Sequence, residues 1–133
     1  MKCLIVDDDI FGRELLNCFF MDYAATIDKA ENGAEAIRLF TDALKAGVPY
    51  KVVCLDILMP VMNGQEALKL MRASEKEYGV KEGAESVIIM TTALNALEDI
   101  QEAIWQGDCN NYLVKPIAKA DLVALLNKYN LIK

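Results

Sequence analysis

Hydrophobic residues fall into two alternating patterns along this chain. Short continuous apolar runs, typical of strands buried on both faces, alternate with longer stretches in which apolar residues recur at helical spacing. We predict strands at residues 2–6, 25–29, 51–55, 87–91 and 112–114. A predicted helix follows each strand. This order favours a single α/β domain, in which right-handed crossovers connect a parallel sheet covered by helices on both faces.

The helices are predicted from their apolar faces. These faces consist of Phe11, Leu15, Leu16 and Phe19; Ala36, Ile37, Phe40 and Leu44; Ala67, Leu68 and Met71; Ile100, Ala103 and Ile104; and Leu122, Leu125, Leu126 and Tyr129. Turn-forming residues, such as Asn63-Gly64, separate the elements. Residues 74–85 are charged and contain two glycines, so we expect the third helix to end there and a solvated loop to follow.

Composition narrows the classes of protein to which the chain can belong. Its 133 residues are enough for one domain with a sizeable core, and we expect residues 1–133 to form it. No apolar run is long enough to insert into a membrane and no signal peptide is recognisable, so we predict a soluble, cytoplasmic protein. A net charge of −6 argues against direct binding of nucleic acid, which requires a basic surface.

Cysteine and histidine limit the possible chemistry. The four cysteines form no C-x-x-C pair, and Cys3 and Cys54 lie within predicted strands, so we interpret them as buried apolar residues of a protein in a reducing compartment. The chain has no histidine, which removes the commonest general base and the commonest transition-metal ligand. Any chemistry therefore depends on carboxylates, hydroxyl groups and lysine.

Acidic residues follow two of the predicted strands. Asp7, Asp8 and Asp9 come directly after the first strand, and Asp56 follows the third. If these strands are neighbours, their carboxyl ends meet at the edge of the sheet where ligands bind in open α/β folds. Carboxylates this close repel one another, so Mg²⁺ or a proton would neutralise them. Judged alone, Asp8 or Asp9 could simply cap the following helix, and we favour that interpretation for Asp9.

Short motifs stand at the ends of strands one, three, four and five. They are Val6-Asp7-Asp8, Leu55 to Gly64, Met90-Thr91-Thr92-Ala93 and Lys115-Pro116. Together and in this order, they resemble the motifs of receiver domains of two-component response regulators, the CheY-like family. The resemblance covers essentially the entire chain. It implies a doubly wound (βα)5 domain with the flavodoxin-like strand order 2-1-3-4-5 and, since nothing follows the fifth helix, a stand-alone receiver without a separate output domain.

The resemblance implies roles for matching residues. Asp56 would be the phosphoacceptor, whose carboxylate attacks the phosphoryl group of a phosphohistidine. Lys115 would offset charge on the phosphoryl oxygens, and the Thr92 hydroxyl would donate to one of them. Judged singly, each of the three has an ordinary alternative: a turn former, a surface cation and a hydroxyl at the end of a strand.

A magnesium site is also implied by the resemblance. Asp8, Asp56 and the backbone carbonyl of Leu58 would bind Mg²⁺ directly, and Asp7 would bind it through water. Leu58 and Leu94 would flank the path of a hydrolytic water. Because both side chains are apolar, we expect a comparatively long-lived acyl phosphate.

The implied function is a signalling switch that catalyses only its own phosphorylation and dephosphorylation. The sequence leaves open whether it acts as a diffusible switch or carries the phosphoryl group to a histidine phosphotransfer protein. A sensor histidine kinase or a histidine phosphotransfer protein would donate the phosphoryl group. Thr92 and Tyr112 would then move and reshape the face made by the fourth helix, the fifth strand and the fifth helix, where a downstream protein would bind. Tyr112 could instead be only a half-buried strand aromatic, and Trp105 either a partner contact or a core residue.

Two other classes of function remain open. One is a Mg²⁺-dependent phosphatase that forms an aspartyl phosphate, although such enzymes carry a second acid two residues after the nucleophile, where Leu58 stands. The other is a phosphate-independent interaction module with a degenerate site. Three features also differ from, or are not settled by, the family pattern: residues 72–86 form a longer segment, residues 117–120 lack a strong helix cap, and the isomer of the Lys115-Pro116 bond stays open.

Overall fold

The computed structural model describes residues 1–59, 62–93 and 109–132. In these ranges, five parallel strands form one sheet in the order β2-β1-β3-β4-β5, as the resemblance implied. The strands are β1 (Lys2–Val6), β2 (Thr26–Ala30), β3 (Val52–Asp56), β4 (Val87–Thr92) and β5 (Asn111–Val114). All five predicted strands are therefore confirmed, and their ends differ from the prediction by at most one residue.

Four helices lie within the described residues. They are α1 (Ile10–Phe20), α2 (Gly33–Lys45), α3 (Gly64–Glu77) and the C-terminal helix α4 (Lys119–Lys128). These helices correspond to the first, second, third and fifth predicted helices. The fourth predicted helix, together with Leu94 and Trp105, lies outside the described residues.

The helices near the acidic edge of the sheet begin at side-chain caps. The Asp9 carboxylate accepts a hydrogen bond from the Phe11 N–H at 3.3 Å, which confirms the capping role expected for Asp9. Asn32 and Asn63 cap α2 and α3 in the same way. Ala118 precedes α4 and makes no side-chain cap, as the sequence indicated. Each cap satisfies an amide that the first helical turn leaves unpaired.

Two apolar layers cover the two faces of the sheet. Leu55 and Met90 belong to the layer shared with α2 and α3, whereas Cys54, Ile89 and Leu113 belong to the layer shared with α1 and α4. Successive strand residues therefore face opposite layers, as the period of two in a strand requires. Cys54 is completely buried, as predicted.

The third helix ends within the charged segment, as predicted. It ends at Glu77, and a turn with a left-handed glycine, Gly79, follows. Residues 81–85 are exposed, so the expected solvated loop is confirmed. Glu75 is buried, however, and accepts from Arg72 and from the Ser86 N–H, each at 2.7 Å. No helix in the described part of the chain is long and apolar enough to cross a membrane.

Candidate functional site

Three carboxylates converge at the carboxyl ends of β1 and β3. One oxygen each from Asp7, Asp8 and Asp56 lies within 4.8 Å of the others. The adjacent positions of β1 and β3 in the sheet bring these residues together, as predicted. Asp7 and Asp56 are buried, with 0% and 4% of their surface exposed, whereas Asp8 is exposed to solvent. The cluster is therefore open to ligands on the side of Asp8.

Lys115 supplies a positive charge to the same cluster. It directly follows β5, and its Nζ lies 3.0 Å from Asp7 Oδ2 and 3.2 Å from Asp56 Oδ2. The backbone N–H of Lys115 also donates to the Thr92 carbonyl, and this hydrogen bond fixes the start of the loop against β4. The Lys115-Pro116 bond is cis. One ammonium group thus bridges two buried carboxylates.

Burial and charge determine the protonation of this cluster. Burial raises the pKa of the Asp56 carboxyl to about 6; the Lys115 ammonium opposes this rise, and the Asp7 carboxylate adds to it. Burial would lower the pKa of Lys115, but its hydrogen bond to Asp7 and the charge of Asp56 outweigh that effect and raise this pKa. Lys115 is therefore charged at neutral pH, and Asp56 is a carboxylate that a further cation would stabilise.

The backbone around Asp56 is held by the neighbouring strand and by α3. The Ile57 N–H donates to the Thr91 carbonyl at 3.1 Å, and the Gly64 N–H donates to the Ile57 carbonyl at 2.8 Å. A Cβ atom at Gly64 would overlap the Asp56 carbonyl oxygen. Only glycine allows α3 to begin this close to the end of β3. The loop between them exposes Leu58, of which 54% is accessible to solvent.

The remaining predicted residues lie near the cluster but do not join it. Thr92 ends β4, and its buried hydroxyl donates to the Ala93 carbonyl at 2.9 Å. Tyr112 lies in β5 and is exposed, with 38% of its surface accessible to solvent. The structure thus brings together Asp7, Asp8 and Asp56 with Lys115, and it leaves Thr92 and Tyr112 at the adjoining strand ends.

Comparison with known proteins identifies the family. The response regulator receiver domain family matches residues 3–127, nearly the whole chain. The chain belongs to this family. As a receiver domain, it is a component of two-component signalling, and its CheY-like fold agrees with the strand order observed here.

Three solved structures resemble this receiver domain. The chemotaxis protein CheY4 of Vibrio cholerae is 30% identical, with a TM-score of 0.76 and coverage of 96% of this chain and 97% of that one. The receiver domain of the histidine kinase CKI1 of Arabidopsis thaliana, complexed with Mg²⁺ and BeF₃⁻, is 26% identical, with a TM-score of 0.80 and coverage of 97% and 89%. The receiver domain of Ssk1 of Saccharomyces cerevisiae, crystallised with the histidine phosphotransfer protein Ypd1, is 31% identical, with a TM-score of 0.76 and coverage of 98% and 86%.

Many relatives are much longer than this receiver domain. The chain spans between 7% and 48% of the length of the first five curated relatives that it matches, which include histidine kinases and a transcriptional regulator. Receiver domains therefore occur as one part of several kinds of signalling protein. The family resemblance extends to the receiver fold and its acidic cluster, which is of the kind that binds Mg²⁺.

Two residues that support the receiver site were missed in the sequence. Arg13 is buried, and its guanidinium donates to the Asp7 carbonyl at 2.7 Å. Gly12 faces the Asp7 carboxylate so closely that a Cβ atom would overlap one of its oxygens. Both residues lie in the first turns of α1. An arginine there is usually exposed to solvent, and a glycine there usually indicates flexibility. No pattern in the sequence shows that these two residues instead contact Asp7.

Proposed function

We propose that this receiver domain is a phosphoacceptor switch in which Asp56 receives a phosphoryl group from a phosphohistidine of a sensor histidine kinase or a histidine phosphotransfer protein. The observation that carries the proposal is the position of Asp56, a buried carboxylate that contacts the Lys115 ammonium and lies in one cluster with Asp7 and Asp8. The co-crystal of the similar Ssk1 receiver with Ypd1 supports a phosphotransfer protein as partner.

In the proposed reaction, an Asp56 carboxylate oxygen attacks phosphorus. The new O–P bond forms as the P–N bond to the imidazole of the donor breaks, and the imidazole leaves with the electron pair of that bond and takes up a proton. Negative charge develops on the phosphoryl oxygens during the transfer. The Lys115 ammonium, which two carboxylates hold beside the acceptor oxygen, offsets this charge.

The donor set fits a bound Mg²⁺ ion. Three carboxylates lie within 4.8 Å of one another, and carboxylate and carbonyl oxygens are the ligands that this hard cation prefers. Asp8, Asp56 and the Leu58 carbonyl would hold it directly, and Asp7 through water. When bound, Mg²⁺ supplies positive charge to the phosphoryl oxygens and relieves the repulsion among the carboxylates.

Thr92 and Tyr112 would couple phosphorylation of Asp56 to a change in shape of the surface. In the resting structure, the Thr92 hydroxyl donates to Ala93, a contact that is exchanged for a phosphoryl oxygen when Asp56 is modified. Tyr112, on the neighbouring strand, is partly exposed and would turn inward. The face formed by the fourth predicted helix, β5 and α4 would then change shape and bind a downstream protein.

Acetyl phosphate tests the proposal without requiring the natural partner. The protein is incubated with acetyl phosphate and Mg²⁺, and its intact mass is followed for the wild type and for Asp56→Asn. We expect a stable gain of one phosphoryl group that requires Mg²⁺ and is absent in the variant. Rapid release of phosphate over many turnovers would indicate a phosphatase instead, and no addition would indicate an interaction module with a degenerate site.

A further inference from the structure

Thr91 carries a buried hydroxyl group for which the phosphoacceptor chemistry has no role. The residue is completely buried. Among the residues that the structure describes, its Oγ1 is the one buried side-chain oxygen or nitrogen without a hydrogen-bond partner. A buried hydroxyl without a partner is costly, because it has given up its hydrogen bonds to water. Such a group calls for an explanation, and valine has nearly the same shape without that cost.

The sheet register places Thr91 beside the phosphoacceptor. Thr91 pairs with Asp56 on β3 and with Leu113 on β5. Leu113 belongs to the apolar layer shared with α1 and α4, as does Ile89, two residues before Thr91. Because strand side chains alternate between faces, Thr91 points to this same face, whereas Thr92 points to the opposite one.

Lys115 reaches across the carboxyl end of β4 to contact its partners. It follows β5, yet its Nζ lies 3.2 Å from Asp56 Oδ2 on β3, and β4 separates the two strands. Neighbouring strands lie about 4.8 Å apart, so the lysine side chain crosses the full width of β4. On this face of β4, Thr91 is the residue level with Asp56. Among the β4 residues, Thr91 is therefore the one whose side chain shares both the face and the level of the Asp56 carboxylate that the lysine reaches.

The ammonium group of Lys115 has more donors than the resting site uses. It carries three N–H groups, two of which are directed to Asp7 Oδ2 and Asp56 Oδ2. Phosphorylation converts the Asp56 carboxylate into an acyl phosphate, whose ester oxygen is a weaker acceptor than a carboxylate oxygen. The N–H that faces Asp56 can then turn to the phosphoryl group, and this rotation of the ammonium redirects the third N–H, which is directed to neither carboxylate in the resting protein.

We propose that Thr91 is a positioning residue for Lys115, and that its hydroxyl accepts a hydrogen bond from the ammonium group once Asp56 is phosphorylated. The inference depends on the proposed phosphoacceptor function. In the resting protein the hydroxyl has no hydrogen-bond partner. In the phosphorylated protein it accepts from one N–H of the ammonium while another N–H donates to the phosphoryl group. The pairing therefore favours the phosphorylated state over the resting state.

Two substitutions at Thr91 test the effect of the hydroxyl group separately from the effect of side-chain shape. Thr91→Val removes the hydroxyl and keeps the volume, whereas Thr91→Ser keeps the hydroxyl and loses a methyl group. The probe is BeF₃⁻ with Mg²⁺, since BeF₃⁻ takes the place of the phosphoryl group on a carboxylate. We expect Thr91→Val to bind BeF₃⁻ about tenfold more weakly than the wild type, the loss expected for one hydrogen bond to a charged donor, and Thr91→Ser to stay within threefold.

A second measurement follows the lysine itself. The ¹⁵N signal of the Lys115 ammonium, assigned as the signal absent from Lys115→Met, should differ between wild type and Thr91→Val in the BeF₃⁻ complex and coincide in the resting protein. A general packing defect would not produce this difference. Without Mg²⁺, thermal unfolding of Thr91→Val should occur at the wild-type midpoint or above it, because no hydrogen bond is lost there.

The outcomes are distinguishable. BeF₃⁻ binding by Thr91→Val within twofold of wild type, an unchanged Lys115 signal in the complex, or a lower unfolding midpoint of the resting variant would each overturn the inference. If the wild type itself binds no BeF₃⁻ and gains no phosphoryl group, the proposed function fails. If the wild type binds BeF₃⁻ and gains a phosphoryl group, and Thr91→Val binds BeF₃⁻ as tightly as the wild type, the proposed function stands and only the role of Thr91 is wrong.

Discussion

The Lys115 ammonium lies 3.2 Å from the Asp56 carboxylate, although the strands that these residues follow are not neighbours in the sheet. The pair spans β4 and so joins the loops of β3 and β5 at one edge. A change at Asp56, such as loss of its negative charge, therefore directly alters the ion pair that holds the loop after β5. This contact gives the proposed switch a physical route from the phosphoacceptor to β5.

The contribution of Asp56 to the stability of the metal-free protein should fall as pH rises from about 4 to about 6. Folding raises the pKa of Asp56 from its ordinary value of 3.8 to about 6. The folded protein therefore holds this proton more tightly than the unfolded chain, and the stabilisation present below pH 4 is lost as Asp56 ionises. The loss attributable to Asp56 is about 3 kcal/mol. Urea unfolding in EDTA across this range measures it.

Asp56→Asn is the control for this pH dependence. The amide cannot ionise, so the difference in unfolding free energy between variant and wild type should grow in favour of the variant as the pH rises. Titrating groups that do not interact with Asp56 are common to both proteins and cancel in the difference. If the two profiles remain parallel from pH 4 to pH 7, Asp56 does not titrate as its surroundings predict.

Mg²⁺ should stabilise the fold. A cation that binds only the folded cluster raises the unfolding free energy by about 2.7 kcal/mol at a concentration one hundred times its Kd. Asp8→Asn should weaken binding, because it removes the solvent-exposed carboxylate of the cluster. Asp9→Asn is the matched control, since asparagine can still cap α1 and Asp9 lies outside the cluster. Equal losses of affinity in the two variants, measured by calorimetric titration, would argue against a site at Asp8.

The acyl phosphate should be comparatively long-lived because of Leu58. This side chain is apolar, more than half exposed and two residues beyond Asp56, so it offers no hydrogen bond to an attacking water. Leu58→Asn should accelerate loss of the phosphoryl group, followed by intact mass after acetyl phosphate is removed. Leu58→Met keeps an apolar side chain of similar size and should decay at the wild-type rate. An unchanged or slower decay in Leu58→Asn would contradict this explanation.

The sheet and the acidic edge were predictable because local patterns determine them. The run Val52 to Leu55 is apolar throughout, as a strand covered on both faces must be, and Asp56 follows where such a strand ends. The motifs then placed Lys115 at the same edge. Each of these signals is contained in a few consecutive residues, and the parallel topology brings them together.

The supporting contacts were not predictable, because they depend on residues distant in sequence. Arg72 donates to Glu75, to the Ser86 carbonyl and to Asn110, and Glu75 is buried although it lies in a charged stretch of the sequence. The unpaired Thr91 hydroxyl is likewise visible only once the strands are in register. Composition and periodicity cannot distinguish a buried polar network from an exposed one.

Two glycines in the same local context should respond differently to alanine. Gly33 and Gly64 each begin a helix directly after a capping asparagine. A Cβ atom at Gly64 would meet backbone, namely the Asp56 carbonyl oxygen and the Ile57 Cα, whereas the three atoms nearest to a Cβ at Gly33 all belong to the side chain of Met62. Gly64→Ala should therefore cost about 2 kcal/mol or more in unfolding free energy and slow phosphorylation of Asp56, because the end of β3 must shift. Gly33→Ala should cost less than 1 kcal/mol, roughly the tolerance of a side chain that can repack. Urea unfolding and acetyl phosphate labelling measure both effects, and equal behaviour of the two variants would mean that close approach of α3 to β3 does not position the phosphoacceptor.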